Sequence, residues 1–291
     1  MTCPASIVHI NKINHVKVRP VKHKKGKDKR PFKGEILFPD PYSNIAIFAK
    51  KKSGKTSVIS TILKNSINRN TKVLIFCTTY DVDPTWMAII DSLNKAKIGV
   101  RCDKGIVDGR PPDLLSLFLQ ELTGQEEDFN EQPEEEEQEG PIHFGQCHEP
   151  SSEDDRSYQS DDEQPKPVKS KYLTPDFCLI FDDLPKAELW LPSVSTLMKK
   201  NRHHHIMTIT SSQYIHDLPP VSMKQSDIWI LFRGLDDKGI DKVYKASQSS
   251  LPYKIFSACY KQATSQPYNF FYINSLTDEI RNNFCNRFNI A

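Results

Sequence analysis

The chain has 291 residues, enough for one large domain or two small ones with a substantial core. With 37% hydrophobic and 26% charged residues, part of it is expected to stay unpacked. The formal charge of +2 is a cancellation: residues 121–163 carry 17 acidic side chains against Arg156, a net of −16, and the rest carries 38 basic against 20 acidic ones, or +18. No apolar run reaches the roughly 18 residues of a membrane span, so no membrane partner is expected. The opening MTCPASIVHINKINHVKVRP lacks the order of a secretory signal, which makes an intracellular protein the expectation. The seven cysteines are odd in number and form no CxxC pair, which favours buried thiols in a reducing compartment over disulfides or a zinc site.

Residues 1–33 hold ten Lys or Arg against Asp28 and read as a basic flexible arm, suited to phosphate-backbone contact or to nuclear import. From there short apolar runs alternate with helical stretches. Expected strands are Asn44–Ala49, Val73–Cys77, Ile98–Cys102, Phe177–Phe181, Ile206–Thr210, Asp227–Phe232 and Tyr268–Ile273. Expected helices are Lys55–Asn68, Pro84–Lys97, Pro111–Leu122, Leu191–Asn201, Lys238–Ala246 and Leu276–Phe288. Several strands are continuously apolar, as for strands covered on both faces, so the expected class is α/β with a mostly parallel sheet between helices. Residues 124–171 are acidic and proline-punctuated and read as a disordered insertion, which leaves 34–123 and 172–291 to form a single domain.

The segment SNIAIF-AKKKSGKTS-VISTILKNSI has the strand–loop–helix order of a phosphate-binding P-loop, with Ala49 at the first glycine position. Gly54 permits a tight turn around phosphates, and successive N–H groups with the helix N-terminus supply positive potential. Lys52, Ser53, Gly54, Lys55, Thr56 and Ser57 are therefore the expected cradle for ATP. Lys55 is expected to reach the β- and γ-phosphates, and the Thr56 hydroxyl to hold Mg²⁺.

Such a loop needs carboxylates at the end of a second strand, and FCLIF is followed by Asp182 and Asp183. Asp182 is expected in the Mg²⁺ shell, with Asp183 polarising the attacking water. A third apolar strand ends near Gln213, where an amide could sense the γ-phosphate or orient water. Arg202 and Arg233 are candidates for stabilising transferred charge across a subunit boundary. The run His203–His205 invites a metal reading, but consecutive strand residues point apart.

In their joint order these motifs resemble the viral genome-packaging ATPases of the FtsK–HerA superfamily, of poxvirus type or from Maverick/Polinton and adintovirus-like elements. The resemblance rests on the P-loop, the strand ending in Asp182-Asp183, and KKNRHHHIMTITSSQYIHDLP with Arg202-His203, Gln213 and Leu218-Pro219. It extends to CTTYDVDPTW and to YNFFYINSLTDEIRNNF, covering roughly residues 40–123 and 172–288. It implies a RecA-like P-loop fold, Mg²⁺-dependent ATP hydrolysis and a homo-oligomeric ring, hexameric or pentameric. It also implies translocation of double-stranded DNA into a capsid through a capsid or portal partner, in the host nucleus or at a viral assembly site, with virion association. Where relatives have Arg-x-Asn after Leu-Pro, this chain has Met223-Lys224-Gln225-Ser226, leaving Lys224 or Arg202 to substitute. A helicase or DNA-partitioning ATPase of the same superfamily, or a non-hydrolysing nucleotide-binding assembly protein, are the alternative expectations.

Overall fold

A computed structural model of the chain describes residues 30–109, 111–124 and 170–289. Residues 1–29 of the basic arm and 125–169 of the acidic insertion lie outside them. The strands are β1 (Asn44–Phe48), β2 (Lys72–Cys77), β3 (Val100–Asp103), β4 (Phe177–Asp182), β5 (Ile206–Ser212), β6 (Ile228–Phe232), β7 (Phe270–Asn274), β8 (Glu279–Asn282) and β9 (Asn286–Arg287). The helices are α1 (Lys55–Ser66), α2 (Pro84–Lys95), α3 (Leu114–Thr123), α4 (Lys186–Leu189), α5 (Pro192–Lys200), α6 (Pro220–Lys224), α7 (Asp237–Ser247) and α8 (Tyr253–Ala263).

One sheet runs in the order β3-β2-β4-β5-β1-β6-β7-β8-β9. Strands from β3 to β6 in that order are parallel, while β7, β8 and β9 run antiparallel. Because successive strand side chains alternate, each apolar strand feeds two cores. Ile45 and Ile47 face α1 and α2 with Ile59, Ile62 and Leu93; Ala46 and Phe48 face the other layer, with Leu115, Leu197, Val243 and Phe256. The expected mostly parallel sheet between helices is the fold observed.

Helix starts follow local chemistry. Asp83 accepts from Thr85 N at 2.8 Å ahead of Pro84, Asp113 accepts from Ser116 N at 2.8 Å, and Asp236 accepts from Gly239 N at 2.9 Å. The chain also packs ahead of β1: Phe32 is buried and bridges Leu173, with Lys33 N donating to Leu173 O at 3.1 Å.

The helix expected over Leu276–Phe288 is replaced by β8 and β9. Asn274 Oδ1 accepts from Leu276 N at 3.0 Å and from Thr277 N at 3.3 Å, and Asp278 and Asn283 adopt left-handed φ of 50° and 56°. Asn and Asp tolerate that conformation, so the segment turns twice where a helix would need one continuous backbone. In the other direction, α8 was not expected, because its apolar stripe is built from Phe256, Cys259, Tyr260 and Ala263, which mix poorly with a simple apolar count.

At the edge where the parallel strands begin, Asn44 is a buried hub. Its Nδ2 donates to Met198 O and to Gln225 O, each at 2.9 Å, and its Oδ1 accepts from Thr208 Oγ1 at 2.7 Å. Asp227 Oδ2 accepts from Asn44 N at 2.8 Å, and Asp227 Oδ1 accepts from Arg202 Nη2 at 2.8 Å. Burial pushes the Asp227 carboxyl above its usual range, opposed by the Asn44 N–H and the Arg202 guanidinium. The folded chain therefore holds that proton more tightly than the unfolded one, and this group's contribution to stability falls as pH rises from the ordinary carboxylate range through the folded value. Replacing Asn44 by Ala strands the Thr208 hydroxyl and two carbonyls, and urea denaturation is expected to show a loss of about 2–4 kcal/mol; an unchanged midpoint would remove the hub from the account.

Candidate functional site

The loop between β1 and α1 lies at the carboxyl edge of the sheet. It enters with Ala49, which is buried, has no left-handed φ and donates its N–H to Ser212 O at 3.1 Å. Position 49 therefore has no need of glycine. The turn is made instead by Lys52 at φ 63° and Gly54 at φ 94°, with Ser53 Oγ donating to Lys50 O at 2.7 Å. Left-handed residues alternating with ordinary ones turn backbone N–H groups into a common concavity, the arrangement of an anion nest. Unlike α2, α3 and α7, helix α1 begins with no side-chain cap, and its first turn holds no acidic residue. Its leading N–H groups are thus left to an outside acceptor.

Strand β5 lies between β1 and β4 and pairs with both, so the ends of the three strands stand side by side. Lys55, at the first position of α1, reaches across the end of β5. Its Nζ lies 3.2 Å from Asp182 Oδ1 and contacts Asp183 Oδ2. Asp182 is buried, while the side chain of Asp183 is 31% exposed and opens toward solvent. Asp183 takes a left-handed φ of 50°, and its N–H still donates to Ser211 O at 3.0 Å. Gln213, just past β5, donates Nε2 to Asp183 Oδ2 at 3.4 Å. Lys55, Asp182, Asp183 and Gln213 are thus brought together. Thr56 is half-buried and Ser57 exposed in the first turn of α1.

Arg202 is not brought to this group. It precedes β5 at the opposite edge, a strand length of roughly 20 Å away, where it pairs with Asp227 and approaches Asp40 at 3.6 Å. His205 stacks on Tyr42 at a centroid distance of 4.9 Å and pairs with Asp176 at 3.0 Å on the same far side. Arg233 follows β6 on the near edge and lines a hollow with Lys52 and Ser53. Lys224 ends α6.

Two side chains given no role from sequence, the first and last residues of CTTYDVDPTW, adjoin the site. Trp86, fully buried on α2, donates Nε1 to Asp182 Oδ2 at 2.8 Å. Cys77, at the end of β2, lies 3.9 Å from the same oxygen and 3.6 Å from Thr79 Oγ1. Burial pushes the Cys77 thiol above its usual range and the Asp182 charge adds to that, so the thiol remains a protonated donor. Both hold Asp182 through Oδ2. Oδ1 is left with the Lys55 ammonium and takes no hydrogen bond among the described residues.

Beyond Gln213 opens a cleft of about 770 Å³ with Lys50, Lys51, Tyr214, His216, Lys238 and Lys242 on its walls. Among the described residues no helix is long and apolar enough to cross a membrane.

The chain matches no protein-family sequence model and no curated protein sequence. Solved structures similar to it include the genome packaging NTPase B204 from Sulfolobus turreted icosahedral virus 2 in complex with AMP, at 15% identity and a TM-score of 0.47, covering 87% of this chain and 100% of that one. Another is B204, the DNA-packaging ATPase from Sulfolobus turreted icosahedral virus, at 17% identity and a TM-score of 0.47, covering 86% and 99%. A third is the cytoplasmic domain of the Thermomonospora curvata type VII secretion ATPase EccC, at 10% identity and a TM-score of 0.42, covering 80% of this chain and 24% of that one.

Replacing Trp86 by Phe keeps an aromatic ring but removes the donor that fixes Asp182. Urea denaturation is expected to show a loss of about 1–3 kcal/mol. A loss below roughly 0.5 kcal/mol, the scale of an ordinary surface change, would mean that the indole does not restrain the carboxylate.

Proposed function

We propose that the chain is a Mg²⁺-dependent ATPase that translocates double-stranded DNA, a genome-packaging motor of the FtsK–HerA type working as a homo-oligomeric ring with a capsid or portal partner. The observation that carries the reading is the meeting of Lys55 with Asp182 and Asp183 across the end of β5. A phosphate nest, an uncapped helix start, a cation and two carboxylates of unequal exposure are the parts that phosphoryl transfer requires.

The donor set fits the ion. Thr56 and Asp182 are hard oxygen ligands of the kind magnesium takes, and Asp182 Oδ1 is a buried acceptor that faces the Lys55 ammonium at 3.2 Å but makes no hydrogen bond among the described residues. Magnesium, when bound, neutralises charge on the terminal phosphates. Lys55 then leaves its carboxylates for the β- and γ-phosphate oxygens, while Lys52, Ser53, Gly54 and Ser57 surround the chain of phosphates.

Hydrolysis forms a bond between a water oxygen and the terminal phosphorus as the bond to the bridging oxygen breaks. Asp183 polarises that water through its open carboxylate, and Gln213 orients it through the amide that also touches Asp183. ADP carries away the electrons of the broken bond. An arginine or lysine from a neighbouring copy stabilises the transferring group, with Arg233 better situated in its own chain than Arg202 to face a copy docked on this edge.

Double-stranded DNA as the substrate of the motor is supported by the +18 charge outside residues 121–163 and by the lysine-lined cleft beside Gln213. The host nucleus or a viral assembly site is the corresponding location.

Lys55→Ala is expected to abolish ATP turnover. Asp183→Asn is expected to keep nucleotide binding and slow turnover by about 10²-fold or more. Both are read by phosphate release with and without double-stranded DNA, which is expected to stimulate the unaltered chain. Undiminished hydrolysis in Lys55→Ala would remove the site, and tight binding without release in the unaltered chain would favour a non-hydrolysing assembly protein.

A further inference from the structure

The phosphate loop has two sides. On one stand Asp182, Asp183 and Gln213, at the ends of β4 and β5. On the other stand the end of β6 and the loop from α8 to β7, which line a hollow of about 440 Å³ with Lys52, Ser53, Arg233 and Gln266. A triphosphate whose terminal phosphate lies beside the carboxylates must therefore send its nucleoside out on the second side.

Tyr268 stands there. The residue is 72% exposed, the most exposed large apolar residue among those described, and its backbone takes a left-handed φ of 65°. A tyrosine pays for that conformation where glycine or asparagine would not, and such outliers persist when the surrounding structure holds them. The surroundings do hold it. Pro267 precedes it, Asn269 Oδ1 accepts from Asn283 Nδ2 at 3.0 Å, and Phe270 N donates to Asn283 Oδ1 at 3.0 Å. Across the hollow, Tyr260 Oη accepts from Gly234 N at 3.1 Å and from Leu235 N at 3.0 Å, which fixes the exit from β6. The ring also bounds the loop itself: a Cβ added at Gly54 would lie 3.3 Å from Tyr268 Cδ1. An aromatic face thus stands on a backbone held by its neighbours, beside the phosphate nest and on the side away from the carboxylates.

We propose that Tyr268 is the nucleobase platform of this site, stacking its ring on the base of a bound nucleoside triphosphate. The inference rests on the nucleotide reading above and deepens it. Stacking recognises the face of a base, not its hydrogen-bonding edge, so the platform accepts any nucleobase and favours purines by their larger area.

The test uses the full chain and calorimetric titration with two probes, a non-hydrolysable ATP analogue with Mg²⁺ and inorganic tripolyphosphate with Mg²⁺. Tyr268→Asn removes the ring while suiting the left-handed backbone, and Tyr268→Phe keeps the ring. Tyr268→Asn is expected to weaken the ATP analogue by about 10-fold or more, the scale of one base–aromatic stack, and to leave tripolyphosphate unchanged; Tyr268→Phe is expected to leave both unchanged. Equal weakening of both probes would assign Tyr268 to the loop's architecture and overturn the proposal, as would full affinity for the ATP analogue in Tyr268→Asn. If the unaltered chain binds tripolyphosphate and the analogue equally, the platform fails while the phosphate site stands; if it binds neither, both fail.

Discussion

A buried carboxylate needs a cation, and in this chain the constraint is met by Lys55. Withdrawing a carboxylate from water costs several kcal/mol unless charge and hydrogen bonds offset it. Asp182 receives the Trp86 indole at one oxygen and the Lys55 ammonium at the other. The same ammonium touches Asp183, so one positive charge faces two negative ones. If a nucleotide and its divalent cation bind as proposed, Asp182 would hold the cation and Lys55 would take phosphate oxygens as its acceptors. Lys55 thus supplies at Asp182 and Asp183 positive charge of the kind the proposed metal would supply.

What allows this is the position of β5. Were β1 and β4 neighbours, Lys55 would meet the carboxylates with no room for a third group between them. Inserting β5 sets their ends two strand spacings apart, about 10 Å, and delivers Gln213 into the gap. The opposite edge holds three parallel strands in register. Asn44, Asp227 and Arg202 tie the beginnings of β1, β5 and β6 through buried hydrogen bonds. Arg202 has a structural task there.

The features legible in sequence were those encoded locally. Continuous apolar runs marked the parallel strands, because strands covered on both faces have no polar side to show. The loop between β1 and α1 stands out because its turn, its lysine and its hydroxyl are consecutive. Asp182 and Asp183 were legible from their place at a strand end. Trp86 was not, since its bond to Asp182 spans 96 positions and an indole on an amphipathic helix reads as core. Tyr268 was read as the start of a strand, because nothing in SQPYNFF announces that the chain turns before β7. The segment after β7 was misread as a helix because Asn274, Asp278 and Asn283 act through backbone turns that apolar spacing does not register. Ala49 shows the reverse: a departure from the expected glycine that costs nothing, because the left-handed residues sit at 52 and 54.

The most direct test of the central claim is the coupling between metal and nucleotide at Asp182. Calorimetric titration of a non-hydrolysable ATP analogue into the unaltered chain and into Asp182→Asn, each with and without Mg²⁺, measures it. If Thr56, Lys55 and the paired aspartates converge on one metal-bound triphosphate, Mg²⁺ tightens binding to the unaltered chain, and most of that gain disappears in Asp182→Asn. An equal gain in both chains would mean that the carboxylates at the end of β4 take no part in holding the ion.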